Sequence, residues 1–287
     1  MRWLRAVEQL RTGGEPGVLV TLTSVRGHAP REAGAKMVVG RTRTWDTIGG
    51  GNLEAVAVER ARSMIEEGRT VPETFMSSLS DKAPFQHGMQ CCGGEVGVLL
   101  EPLAVAPVVA IFGMGHVGHE LARILARHDL DLHLVDSRPE ALDADALAPL
   151  ADANARVHAH SVPVLPELVL GELPSGAHVL VMTHDHAEDA AILDAALRTT
   201  GLGSVGLIGS SAKWTRLRHR LATEGGLPVQ DLDRVATPIG IPHLVGKDPA
   251  TIAVGVAADL LIRFTAAVPK PEGEGESSAD GRSTVDV

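Results

Sequence analysis

Residues 108–118 read VVAIFGMGHVG, five apolar residues running into glycines at 113, 115 and 118. Few backbones accommodate that pattern. Gly113 allows a tight turn at the end of a strand, Gly115 lets a pyrophosphate approach the backbone, and Gly118 permits close helix–strand packing. The residues that follow, HELARILARHD, place Leu121, Ile124 and Leu125 on one helical face. LDLHLVDSR then supplies another strand and brings Asp136 to its end, 18 residues after Gly118. An acidic residue there accepts hydrogen bonds from a ribose 2′-OH and repels a 2′-phosphate. The segment predicts a β–turn–α–β unit of a parallel-sheet dinucleotide fold. A vestigial site, kept for folding or dimerisation, is the alternative reading of the same residues.

The rest of the C-terminal half extends this pattern. VHAHSV (157–162) reads as a third strand and PELVL as a short helix. HVLVMTHDH reads as a strand ending in a polar loop, AEDAAILDAALR as a helix, and SVGLIGS as a second strand running into glycine. KWTRLRHRLATEG and Thr251–Phe264 complete the helices. The N-terminal half is less regular. Residues 1–12 place Trp3, Leu4, Val7 and Leu10 at helical spacing, and strands are predicted at Val18–Val25, Met37–Val39 and 92–100. Gly49, Gly50 and Gly51 immediately precede the helical run LEAVAVERARSMIEEG. Three consecutive glycines are entropically costly, so they imply positive φ or a close backbone approach, or else a plain helix-capping turn. With 287 residues and roughly 100–200 per domain, the expected division is 1–104, 105–268 and a disordered acidic tail at 269–287.

Charge and cysteine content narrow the function classes. A net charge of -10 disfavours non-specific attraction to nucleic acid or anionic lipid, although a local nest of N–H groups can still hold a small anion. No uninterrupted apolar run reaches the ~18 residues of a membrane span. The two cysteines, Cys91 and Cys92, are adjacent, which is no disulfide framework and no four-cysteine zinc cage. The expectation is a soluble cytoplasmic protein without nucleic-acid or membrane partners. Cys91–Cys92–Gly93–Gly94 suits sulfur, persulfide or molybdenum chemistry if the thiol is reactive, and small buried packing if it is not. Arg31 and Lys36, with His28 in GHAPREAGAK, are either anion contacts or a solvated loop. His184 and His186, flanking Asp185, are acid/base candidates and a weak metal signal. Lys213, Arg216, Arg218, His219 and Arg220 form a basic cluster, for an anionic ligand or partner, or simply a solvated face.

In their order these segments resemble the xanthine dehydrogenase accessory protein family, the XdhC/CoxI type. The match is carried by LVTLTSVRGHAPREAGAKMVV, TIGGGNLE, CCGGEVGVLLEPL, IFGMGHVGHELARIL, LVDSR, VMTHDHAEDAAILDAALR, SVGLIGSSAKWTRLRHRL and TPIG with TIAVGVAADLLI, over residues 15–265. The resemblance implies an α/β chain: an XdhC/CoxI-type N-terminal domain followed by a Rossmann-like domain with a parallel sheet. It further implies a chaperone of purine metabolism that binds molybdopterin, protects the molybdenum cofactor, and assists its sulfuration with a cysteine desulfurase. Delivery would be to the molybdenum-binding subunit of xanthine dehydrogenase, and a homodimer is the expected assembly. The family's CGG cysteine falls on Cys92, implying contact with molybdenum or its incoming sulfur, with Cys91 as the neighbouring thiol. Arg31 and Lys36 match its APR and GAK positions, and Gly49–Gly51 its GGG. The chain departs from the family pattern after TPIG, where IPHLVGKDPATIAV stands.

Two rival accounts use fewer of these residues. An NAD-dependent oxidoreductase would use Gly113, Gly115, Gly118 and Asp136 with NAD or another nucleotide, leaving the GGG and CCGG segments idle. An assembly scaffold would need neither ligand. An accessory protein that carries the cofactor, rather than an enzyme, engages both halves.

Overall fold

Val18, Val20 and Leu22 recur at every second position, and the chain uses that period to lay one strand face on a core. The computed structural model describes residues 2–79 and 94–266 and divides into two compact units. Residues 17–103 form one; residues 2–16 and 104–266 form the other. The expected tail at 269–287, and Cys91, Cys92 and Gly93, lie outside the described residues.

The chain begins with α1 (Arg2–Thr12), which buries Ala6 and Leu10. Leu4, expected on the apolar face, is 51% exposed, because residues 3, 6, 7 and 10 define the inward stripe. This helix, expected in a domain spanning 1–104, lies with the 104–266 unit. Arg156 fastens it there, donating to the Thr12 hydroxyl at 3.0 Å and the Arg11 carbonyl at 3.3 Å, and Arg11 pairs with Asp129. Asp131 grips the same Arg156 guanidinium at 2.8 and 2.9 Å.

The 17–103 unit contains β1 (Gly17–Arg26), β2 (Lys36–Gly40), β3 (Thr44–Asp46), α2 (Gly51–Glu66), β4 (Glu73–Ser78) and β5 (Glu95–Leu103). Its sheet is antiparallel in the order β3-β2-β1-β5-β4. Leu53, Ala57, Ala61 and Met64 of α2 pack on Val20, Leu22, Met37, Val39 and Val98 to make the core. The β1–β5 register shifts between Leu22 and Ser24, and Gly97 faces that irregularity. A Cβ there would stand 2.7 Å from the hydroxyls of both Thr23 and Ser24, so a side chain at this position would have to displace both.

The second unit contains β6 (Val108–Phe112), α3 (His116–Leu125), β7 (Asp131–Asp136), α4 (Ala144–Leu147), β8 (Arg156–Ser161), β9 (His178–Val181) and α5 (His186–Arg198). It continues with β10 (Ser204–Leu207), α6 (Ser211–Thr223), α7 (Val229–Leu232), β11 (Val235–Ala236) and α8 (Pro249–Ala266). All six strands are parallel, in the order β11-β10-β9-β6-β7-β8. One core joins α3 and α8 to the sheet, and the other joins α5 and α6 to its opposite face. That explains why all five residues of β6 are apolar and buried. The strand order reverses between β6 and β9, so their carboxyl ends frame the switch point of a Rossmann sheet.

Candidate functional site

In the 17–103 unit the glycine run forms the entry to α2. Gly49, Gly50 and Gly51 have φ of 128°, 74° and 62°, a left-handed stretch that side-chain-bearing residues resist. Their surroundings differ. A Cβ on Gly49 would stand 2.5 Å from Pro30 Cγ, whereas one on Gly50 would meet none of the described residues within 4 Å. Gly50 is the N-cap of α2, with φ 74° and ψ -168°, and its own position supplies no capping side chain. The capping acceptor comes from inside the helix: Glu54 Oε2 accepts the Gly50 N–H at 3.0 Å, the Ile48 N–H at 3.2 Å and the Thr47 hydroxyl.

Pro30 belongs to the loop between β1 and β2, where His28, Ala29, Arg31 and Glu32 line an open groove of about 410 Å³. Gly94 approaches the start of the same loop. A Cβ on it would lie 2.8 Å from the Arg26 carbonyl and overlap the His28 carbonyl. The structure therefore gathers Arg31, Gly49 and Gly94 around one loop, since Arg31 Cγ is also 3.6 Å from the Gly49 Cβ position. Lys36 is held elsewhere. It pairs in register with Thr21 on the sheet face away from α2, and its ammonium donates to the Thr21 hydroxyl at 2.8 Å.

In the second unit Gly113 (φ 106°) turns the chain where a Cβ would come within 2.7 Å of Thr183 Cα and overlap the Met182 carbonyl. Gly118 fits α3 against the Gly113 carbonyl, and Gly115 faces open space as the α3 N-cap. Asp136 sits beneath this turn, 3% exposed. One oxygen accepts the Met114 N–H at 2.7 Å and Arg138 Nη2 at 2.9 Å; the other accepts Arg138 N–H at 2.9 Å and Nε at 3.0 Å. Burial pushes this carboxyl up, but the Arg138 and Met114 donors outweigh it and leave it below its ordinary value. The ribose acceptor expected from the sequence is thus engaged by the chain's own donors. Beside it, Ser137 donates to Glu188 at 3.2 Å, and burial raises the Glu188 carboxyl.

The sequence and this geometry agree with two family profiles: residues 109–260 match the XdhC Rossmann domain, and residues 10–76 match the XdhC and CoxI family. The chain belongs to the XdhC family. Among its relatives is YqeB of Escherichia coli K12, 24% identical over 246 residues, covering 86% of this chain and 43% of YqeB. This chain therefore spans less than half of that relative. The molybdenum cofactor insertion chaperone PaoD of the same organism is 28% identical over 280 residues, 89% of this chain and 85% of PaoD. Among solved structures, a xanthine dehydrogenase from Bacillus halodurans aligns over 98% of both chains at 19% identity and a TM-score of 0.45.

Most of the remaining polar candidates of this XdhC protein have structural partners. Asp185 caps α5 by accepting the Ala187 N–H at 2.6 Å, and His184 and His186 are exposed. Among the described residues no group of three or more His, Cys, Asp or Glu side chains is arranged to hold a metal ion. The basic cluster of α6 is largely neutralised. Lys213 reaches the fully buried Asp189 at 2.6 Å, Arg218 pairs with Asp233, and Arg220 with Glu224. Asp189 also accepts the Thr183 N–H and hydroxyl at 3.2 and 2.8 Å, tying the end of β9 to α5 and α6.

Proposed function

We propose that this XdhC protein is a molybdenum-cofactor insertion chaperone, which holds the pterin cofactor in its 17–103 unit and delivers it to a xanthine dehydrogenase apoprotein. Sulfuration with a cysteine desulfurase, a homodimeric state and a cytoplasmic setting in purine metabolism belong to the same reading. Its support among relatives is PaoD, whose name gives molybdenum cofactor insertion and no more. The observation that carries it is the loop 27–33, bordered by Gly49 and Gly94, with Arg31 lining its groove.

The residues present suit the group. When bound, the cofactor would supply an oxo-molybdenum centre on a dithiolene, together with an anionic phosphate. An uncovered Gly50 admits a ligand against the backbone. Arg31 offers a planar donor fork to anionic oxygen, and the first turn of α2 offers N–H groups. Lys36, on the sheet, would act as a point charge rather than a clamp. Cys92, with Cys91 beside it, is the proposed sulfur-bearing contact to molybdenum. Gly93 would let the chain pass close to it.

The test is anaerobic loading with molybdenum cofactor, followed by pterin and molybdenum quantification on wild type and Cys92→Ser. Near-stoichiometric retention in wild type, lost in a folded Cys92→Ser protein, is the expected result. Unchanged retention in the variant removes the cysteine's role. No retention by folded wild type removes the carrier reading. The second reading, a nucleotide at Gly113, Gly115 and Gly118, is favoured by the strand-order reversal at β6 and β9. Substrate-dependent NADH formation would establish it as an NAD-dependent oxidoreductase; partner binding without either ligand would leave a scaffold.

A further inference from the structure

We infer that Glu54 is a positioning residue for the cofactor rim: its carboxylate latches the glycine turn so that Gly50 stays uncovered while Gly49 and Gly94 clamp the 27–33 loop. The inference rests on the reading that the 17–103 unit holds the cofactor. It assigns separate work to glycines that are indistinguishable as residue types.

A single oxygen of Glu54 accepts from Thr47, Ile48 and Gly50, spanning the whole approach to α2. Those donors would otherwise be unpaired at a helix entry. Thr47 is itself a second tie, since its hydroxyl accepts the Gly49 N–H at 3.0 Å. Three successive glycines with positive φ have no side chains to hold them, and fixing each backbone is entropically unfavourable. The turn therefore depends on an outside acceptor, and Glu54 is placed to be it.

The consequence propagates through contacts that only glycine permits. Gly49 stands against Pro30, where a Cβ would be 2.5 Å from the ring, and Gly94 stands against the Arg26 and His28 carbonyls. If the turn slackens, one side of the loop loses its stop. Among the described residues, Gly50 alone of these three faces open space, so it is the glycine proposed to meet the ligand. Glu54 also consumes the Ile48 and Gly50 donors. The donors left for an anionic group at this rim are those of the first helical turn, Gly51 to Leu53, together with Arg31.

The experiment measures amide hydrogen exchange and cofactor retention on full-length wild type, Glu54→Ala and Glu54→Gln. In Glu54→Ala, exchange at Ile48 and Gly50 should accelerate, and cofactor affinity should fall, each by about tenfold or more, as expected for losing a charged acceptor. Exchange in the 104–266 unit should stay as in wild type. Glu54→Gln keeps an acceptor oxygen and should restore most of both losses, which a merely disordered unit would not allow. Unchanged exchange at the two amides in Glu54→Ala overturns the latch. Faster exchange with unchanged affinity overturns the positioning role and leaves the carrier reading standing. Folded wild type that retains no cofactor overturns the positioning role together with that reading, and the amide result still decides the latch. Should Glu54→Ala unfold, Glu54→Gln carries the test: amides and affinity both as in wild type support the acceptor role, and affinity lost with the amides protected overturns it.

Discussion

Both units of the chain lead into a helix through glycines, and in both one carboxylate holds the turn, yet the two devices are built from opposite ends. At the entry to α2 the holder is Glu54, on the helix itself and four residues from Gly50, and all three glycines take positive φ. At the entry to α3 the holder is Asp136, 22 residues from Met114 at the end of the neighbouring strand, and only Gly113 within the fingerprint takes positive φ. The first turn is a local loop with open space at Gly50. The second is wedged into the sheet, and Arg138 donates to both oxygens of its carboxylate. A turn held from within its own helix can be presented to a ligand without disturbing a core. A turn held across strands is part of the core.

The largest expected effect follows from that contrast. Gly113→Ala combines a positive φ with overlap against the Met182–Thr183 backbone, which has no flexible end to give way. Strain and overpacking together should cost roughly 3–5 kcal/mol. Urea unfolding, with amide exchange to assign the loss to the 104–266 unit, is the measurement. A loss below about 1 kcal/mol would mean that this turn is as compliant as the other and would break the comparison.

Acid should also find the second unit first. His133 on β7 stacks on His158 at 4.5 Å between ring centres, and its Nδ1 lies 3.0 Å from His160 Nε2 on β8. Burial, followed by the charges of His158 and His160, pushes the His133 imidazole down to about 4, with Asp131 opposing and Arg156 reinforcing the shift. Burial also lowers His160, against the nearby Glu172. The unfolded chain therefore binds a proton near pH ~6.5 that the folded chain refuses until about pH 4. Stability from this group is fully present above the unfolded value and is lost as pH falls toward the folded one. For His133 alone, discounted for screening at a partly exposed ring, the loss should reach roughly 1–2 kcal/mol by pH ~4. His133→Gln should flatten that part of the pH profile in urea titrations. An equal slope in wild type and variant would remove the cluster from the account.

Much of the second unit was legible because its strands and helices carry long, regular apolar periods: VVAIF, HELARIL and AILDAAL each face a core as their spacing implies. What escaped was short or polar. The edge strand β4, ETFMSS, is half exposed with alternating burial, β3 has three residues, and β11 has two, so none carries enough apolar signal. The docking of α1 escaped for another reason. An amphipathic stripe shows that a helix has an inward face but not which core receives it. At the sites, the glycines were visible, but the turn-holding role of Glu54 and of Asp136 was not. Glu54 stands one position later than the usual reciprocal capping glutamate and follows a glycine cap, so the familiar Ser/Thr-x-x-Glu pattern is absent. Asp136 was visible as an acid, but its partner was hidden in plain spacing. The chain bends just after β7, so that both the backbone N–H and the guanidinium of Arg138 return to the Asp136 carboxylate.

The smallest effect is the most informative about the first turn. Gly50 has φ 74° and ψ -168°, a region kept almost wholly for glycine, yet a Cβ there would touch none of the described residues within 4 Å. Gly50→Ala should therefore cost only the backbone strain, roughly 1–2 kcal/mol, with no clash added. The same methyl would stand in the space through which the cofactor is proposed to approach. Stability and retention should consequently part company: a modest fall in the urea midpoint for the 17–103 unit, and a much larger fall in molybdenum-cofactor retention. At Gly49, where Pro30 fills the space, alanine should harm both together. If Gly50→Ala retains cofactor as wild type does, the open face of the turn is not the approach, and the ligand must be sought along the Arg31 side of the groove.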